Sequence, residues 1–169
     1  MSEIINRVEK SSLVSLDLEE FLDKSERVVF DIKSGLYQEM MLREKEFRAF
    51  IKEQSWDEFK GKNVAVICSV DAIVPSWAYM LVVSRLVEHA NIIAYGDAGE
   101  LEKALIDDAV EKILTLDLEN AKVVIKGCGN ITNREYAYFQ LSKKLVPIVG
   151  SMMYGEPCST VPVFKKKKS

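Results

Sequence analysis

Three cysteines, Cys68, Cys128 and Cys158, are the only thiols in this chain of 169 residues. Cys68 closes the apolar run Asn63-Val-Ala-Val-Ile67, Cys128 follows Lys122-Val-Val-Ile125, and Cys158 comes just after Ser151-Met-Met-Tyr154. All three therefore fall at the carboxyl ends of predicted strands. Neighbouring strands lie ~4.8 Å apart, and thiolates sit ~2.3 Å from a shared metal, so strand-end cysteines can converge without strain. Three thiolates with one oxygen ligand suit zinc or iron, or an iron–sulfur cluster, because soft ligands disfavour magnesium and calcium. Asp71, three residues after Cys68, is the nearest fourth ligand; Glu156, two before Cys158, is second. His89 is the only histidine and belongs at the far end of its helix from Cys68, which excludes it.

Two other readings stay open. Cys128 stands in Gly127-Cys-Gly-Asn130 before a predicted helix N-terminus, where backbone N–H groups and the helix dipole favour a thiolate. Such a residue could carry a persulfide or act as a nucleophile. No histidine is available as its base, which argues against protease-like or acyl-transfer chemistry. Alternatively the cysteines are small buried hydrophobes, and the chain is a non-catalytic binding module. No CxxC pair is present, and Gly127-Cys-Gly-Asn130 lacks the Gly-Lys-Ser/Thr ending of a phosphate loop.

The elements that must position these residues are clearest from Asn63 onward. Val64–Ile67 is continuously apolar, as a strand covered on both faces requires. Pro75 suits a first helical turn, and Trp77–His89 is apolar nearly all round up to Arg85, which predicts a buried helix. Asn91–Tyr95 is the next strand, and Asp97-Ala-Gly-Glu100 has capping-box spacing before a long helix. Ala121–Lys126 is a strand, Thr132-Asn-Arg-Glu135 caps a helix to about Leu145, and Val146–Tyr154 is another strand. Val161–Phe164, with Pro162, fits a short edge strand. Upstream, Leu13–Asp17 and Arg27–Ile32 read as strands, with Met40–Leu42 a candidate partner for the second. Arg43–Gln54 is amphipathic at helical spacing, and one further turn opens at Ser55 and stops at Gly61.

The pattern repeats. Trp77, Ala78, Tyr79, Leu86, Tyr95, Gly96 and Asp97 fall on Tyr136, Ala137, Tyr138, Leu145, Tyr154, Gly155 and Glu156 at a constant offset of 59 residues (137 − 78). Cys68 meets Cys128 with a slip of one residue. Two strand–helix–strand units imply parallel strands with right-handed crossovers. The expected fold is a single α/β domain with a central, mostly parallel sheet, extended by the N-terminal strands into a mixed sheet. Its ligands belong at the carboxyl ends of the strands. The tyrosines read as core residues with polar tips.

Composition bounds the function. A formal charge of −3 argues against a dedicated nucleic-acid binder. The most apolar run, Ala72–Val83, is broken by Pro75 and falls short of the ~20 residues a membrane span needs. An odd number of cysteines without an apolar leader points to a reducing cytoplasm. Lys165–Lys168 reads as a solvated tail, and a homodimer is compatible with the repeat.

Three segments, Cys68-Ser-Val-Asp-Ala-Ile-Val-Pro-Ser-Trp-Ala-Tyr-Met80, Ile125-Lys-Gly-Cys-Gly-Asn130 and Tyr154-Gly-Glu-Pro-Cys-Ser-Thr-Val-Pro162, resemble those of the domain of unknown function 2480 family, over nearly the whole chain. The family has no established activity. The resemblance implies partners in SUF-type iron–sulfur assembly, and Cys68, Cys128, Cys158 and Asp71 match a ligand set used by scaffold proteins of a different fold.

Overall fold

The computed structural model describes residues 13–127, 129–156 and 158–167. In chain order the elements are β1 (Leu13–Leu16), β2 (Arg27–Asp31), α1 (Glu44–Glu53), β3 (Asn63–Ile67), α2 (Ser76–Leu86), β4 (Ile93–Tyr95), α3 (Ala98–Leu114), β5 (Lys122–Ile125), α4 (Arg134–Leu145), β6 (Ser151–Glu156) and β7 (Ser159–Lys165). The class is α/β and the strands are mostly parallel, as expected. They form two sheets, however, not one central sheet. One has order β2-β3-β4 and is all parallel; the other has order β1-β5-β6-β7, with β7 antiparallel at its edge. The apolar pattern of each βαβ unit fixes its own pairing and carries no mark of which other strands join it.

The described residues form two compact units, one of residues 24–105 and the other of residues 13–23 with those from 106 onward. In the 24–105 unit, α1 crosses from β2 to β3 and α2 from β3 to β4. Phe47 and Ile51 of α1, one helical turn apart, are buried with Phe30, Val64, Val66, Ala78, Val82 and Leu86. Buried Asn63 is bonded at both ends of its amide: its Nδ2 donates to Ser25 O, and its Oδ1 accepts from Asn91 Nδ2 and Ile92 N. Such a residue fixes the register of β3 against the chain entering β4. The expected pairing of Met40–Leu42 with β2 is not found; Met41 bridges Tyr37 and Ile73 instead.

In the other unit, β1 pairs with β5, β5 with β6 through the α4 crossover, and β6 with β7 through a hairpin. Leu16, Leu18, Ile113, Val123, Ile125, Leu141 and Leu145 are among its core residues. Pro162 stands on edge strand β7, where a missing N–H is tolerated. Two local expectations change. Helix α4 has no side-chain cap; Asn133 enters it at φ 59°, the left-handed region that Asn adopts more readily than most residues. Helix α2 is buried only along Ala78, Val82 and Leu86, while Met80 and Val83 are exposed, because an apolar helix laid on one sheet covers a single stripe. No helix among the described residues is long and apolar enough to cross a membrane.

The repeat seen in sequence is a repeat of backbone geometry. Val66 pairs with Tyr95 and Ile125 with Tyr154, so the offset of 59 (125 − 66) holds through both strands. Ala78, Val82 and Leu86 match Ala137, Leu141 and Leu145, all fully buried. Gly96 and Gly155 match at φ 118° and 121°. The likeness also extends to the edge strands. Asp31 and Asp17 each follow an apolar strand residue, cap a short 3-10 turn through a side-chain oxygen, and precede a buried Ile32 or Leu18.

Candidate functional site

At the carboxyl ends of β3 and β4 lies a cleft of about 350 Å³, lined by Val66, Ile67, Cys68, Ser69, Tyr79, Tyr95, Gly96 and Asp97. Its floor is the end of the parallel sheet, and Tyr79 leans in from the second turn of α2. The Tyr79 and Tyr95 rings meet edge to face, with centroids 5.1 Å apart at 81°. Tyr95 is 73% exposed, which corrects its reading as a core residue. Strand β4 is only three residues long, and Tyr95, its last, points away from the buried Ala94.

Cys68 is half-buried in the wall with a free thiol, and its Sγ donates to Val70 O at 3.3 Å. The loop that carries it is clamped to the neighbouring strand. Ser69 Oγ donates to Asp31 Oδ2 at 2.5 Å and Ser69 N to Asp31 Oδ1 at 3.2 Å; Lys33 N also donates to Oδ1. Burial pushes the Asp31 carboxyl up, but the Ser69 hydroxyl, the Lys33 and Ser69 N–H groups and the Lys33 charge outweigh it, and the net shift is downward. Tyr79 shifts upward through burial, then through the neighbouring Cys68 and Tyr95 acids, a hydrogen bond with Tyr95, and Asp31. Its hydroxyl therefore keeps its proton at neutral pH. The Asp97 carboxylate accepts from Gly99 N and Glu100 N and so caps α3, as its spacing predicts.

The clamp gives a first prediction. Asp31 is expected to add stability above its ordinary value of 3.8 and to lose that contribution as pH falls through its lower folded value. Asp31→Ala should cost about 1 kcal/mol at pH 7, the usual worth of a capping side chain, and should speed iodoacetamide alkylation of Cys68. Acid unfolding curves and peptide mass spectrometry check the two parts; unchanged Cys68 labelling would remove the clamp's role.

The matching place in the other unit is built differently. The strand offset carries Cys68 onto Gly127, not onto Cys128. A Cβ on Gly127 would lie 2.6 Å from the Tyr154 hydroxyl and 2.7 Å from the ring carbon bearing it. Tyr154, the match of Tyr95, thus rests its ring edge where a side chain would be, and it is half-buried. Tyr138 still meets Tyr154 edge to face at 5.2 Å, and its hydroxyl donates to Lys126 O. The loop is again held by a carboxylate, with Asn130 N donating to Glu19 Oε2.

Of the sequence-predicted ligands, Cys68 ends β3 as expected, and Asp71 is exposed in the loop beyond it. Cys158 is exposed in the β6–β7 turn with a free thiol, and Glu156 ends β6. Cys128 lies outside the described residues, and with it the complete set of three cysteines. Among the described residues, no three His, Cys, Asp or Glu side chains are grouped to hold a metal ion. The Asp31–Ser69 clamp and the role of Tyr95 were missed from sequence. A signal existed in the parallel triplets Leu16-Asp-Leu18 and Phe30-Asp-Ile32.

The family model described as a protein of unknown function (DUF2480) matches residues 2–166. The chain belongs to this family. No curated protein and no solved structure matches it. The DUF2480 assignment fixes no chemistry, so the cleft has to be read from its own atoms.

Proposed function

We propose that the chain binds a small molecule in the cleft at the ends of β3 and β4, with Cys68 and the two tyrosines as its contact groups. The observation that carries this is the difference between the twin arrangements: the matching place holds a glycine with a tyrosine packed on it, whereas Cys68 stands beside open space. Carboxyl ends of parallel strands are the usual ligand edge of α/β folds. Binding is the reading adopted because the open cleft and its aromatic and thiol lining are what the described residues provide.

The second reading is a zinc, iron or iron–sulfur site using Cys68, Cys128, Cys158 and Asp71, with a place in cluster assembly. What favours it is that neither Cys68, half-buried, nor Cys158, exposed, is tied up in a disulfide. A thiol or persulfide activity centred on Cys128 ranks third.

Native mass spectrometry of protein purified from its own cells without air separates these readings. One organic adduct per chain is expected, lost in Tyr95→Ala and kept in Cys158→Ser. An adduct with the mass of iron or zinc, lost in Cys158→Ser, would replace the binding reading by the metal one. A bare chain would overturn both.

A further inference from the structure

Every ionisable side chain lining the cleft is an acid: Cys68, Tyr79, Tyr95 and Asp97. Among the described residues, no lysine, arginine or histidine lines it. Asp31, held ionised by its hydrogen bonds, acts on Tyr79 from the adjoining strand. Lys33 is the cation near that group, and it is turned to account at Asp31. The N-terminus of α3, which could otherwise attract an anion, is already capped by Asp97.

The aromatic geometry points the same way. Two rings at 81° form a corner, and the face of a phenol ring carries the negative part of its quadrupole. A cation in the cleft shares its lining with these two rings and the Asp97 carboxylate. Such surroundings attract an ammonium group, and do so most when water is partly excluded. An anion would meet the Asp97 carboxylate and the negative ring faces.

Resting on the binding reading above, we propose that the ligand of the Cys68 cleft is a small organic cation, an ammonium compound received in the Tyr79–Tyr95 corner. Tyr95 supplies the open ring face, and Cys68 keeps that ring off the strand end. In the matching place the absence of a side chain at Gly127 lets the Tyr154 ring edge lie against the backbone. One cation per chain is the stoichiometry that follows.

The test uses choline as the probe, with its uncharged carbon isostere 3,3-dimethylbutan-1-ol as the control of equal shape. Iodoacetamide alkylation of Cys68, read by peptide mass spectrometry on the full chain, reports occupancy. Choline at about ten times its dissociation constant should slow Cys68 labelling about tenfold, as simple occupancy requires, and leave Cys158 labelling unchanged. The isostere should give no protection at the same concentration. Tyr95→Ala should abolish the choline effect; because Tyr95 is exposed, that variant keeps its fold. Equal protection by both probes, or none by choline, overturns the proposal. An organic adduct in native mass spectra that proves anionic or neutral overturns it while leaving the binding reading in place.

Discussion

Phe47→Ala is expected to lower stability by about 3–5 kcal/mol, the range for removing a buried aromatic ring. Phe47 is fully buried. It packs at 5.9 Å on Phe50 and edge to face at 6.0 Å on Trp77, so its ring joins α1 to the first turn of α2. Gly35 lies beneath both phenylalanines, with no room for a Cβ. The damage should reach the cleft, because α2 carries Tyr79 two residues beyond Trp77. Urea unfolding gives the first number, and Cys68 labelling in the folded variant gives the second. A loss below about 1 kcal/mol, the scale of an ordinary surface change, would mean that this core repacks freely.

Gly155→Ala carries the second large effect, and Gly96→Ala is its built-in comparison. Both glycines have φ near 120°, where a side chain costs roughly 1–3 kcal/mol of backbone strain. They differ in what a Cβ would meet. At Gly155 it would lie 2.6 Å from the backbone oxygen of Ser159, across the β6–β7 turn; at Gly96 it would meet only the flexible Glu100 side chain. Overpacking of roughly 1–3 kcal/mol is therefore added at Gly155 alone. Thermal unfolding should place Gly155→Ala clearly below Gly96→Ala, with the hairpin bearing Cys158 the first part to open. Equal midpoints would show that the turn yields.

Local patterns were legible in the sequence because they are local. Val64–Ile67, the α1 spacing of Phe47 and Ile51, the Asp97 cap and the Tyr-Gly-acid repeat all depend on neighbours within a turn or a strand. Partner choice between strands does not, and the division into two sheets left no mark in the pattern. The cleft depends on a one-residue slip. In sequence Cys68 and Cys128 look equivalent; strand register sets Cys68 against Gly127, where the Tyr154 ring edge takes the place of a side chain. Tyr95 was misread for a similar reason, since a terminal strand residue and a core residue share one apolar pattern.

The chain order of the two units has a consequence for how the protein is made. Strand β1 must find β5, and Leu16 and Ile125 are 109 positions apart (125 − 16). Everything needed for β2, β3 and β4 lies between them. During synthesis the inserted segment can therefore acquire its hydrogen bonds while β1 still has no partner. Closing so long an unstructured loop would cost more entropy than closing a short one. Once the insert is compact, the free chain left to close is far shorter. Strand β1, made before β2, β3 and β4, is thus among the last of the described strands to be paired, and until then its edge stays open to the wrong neighbours.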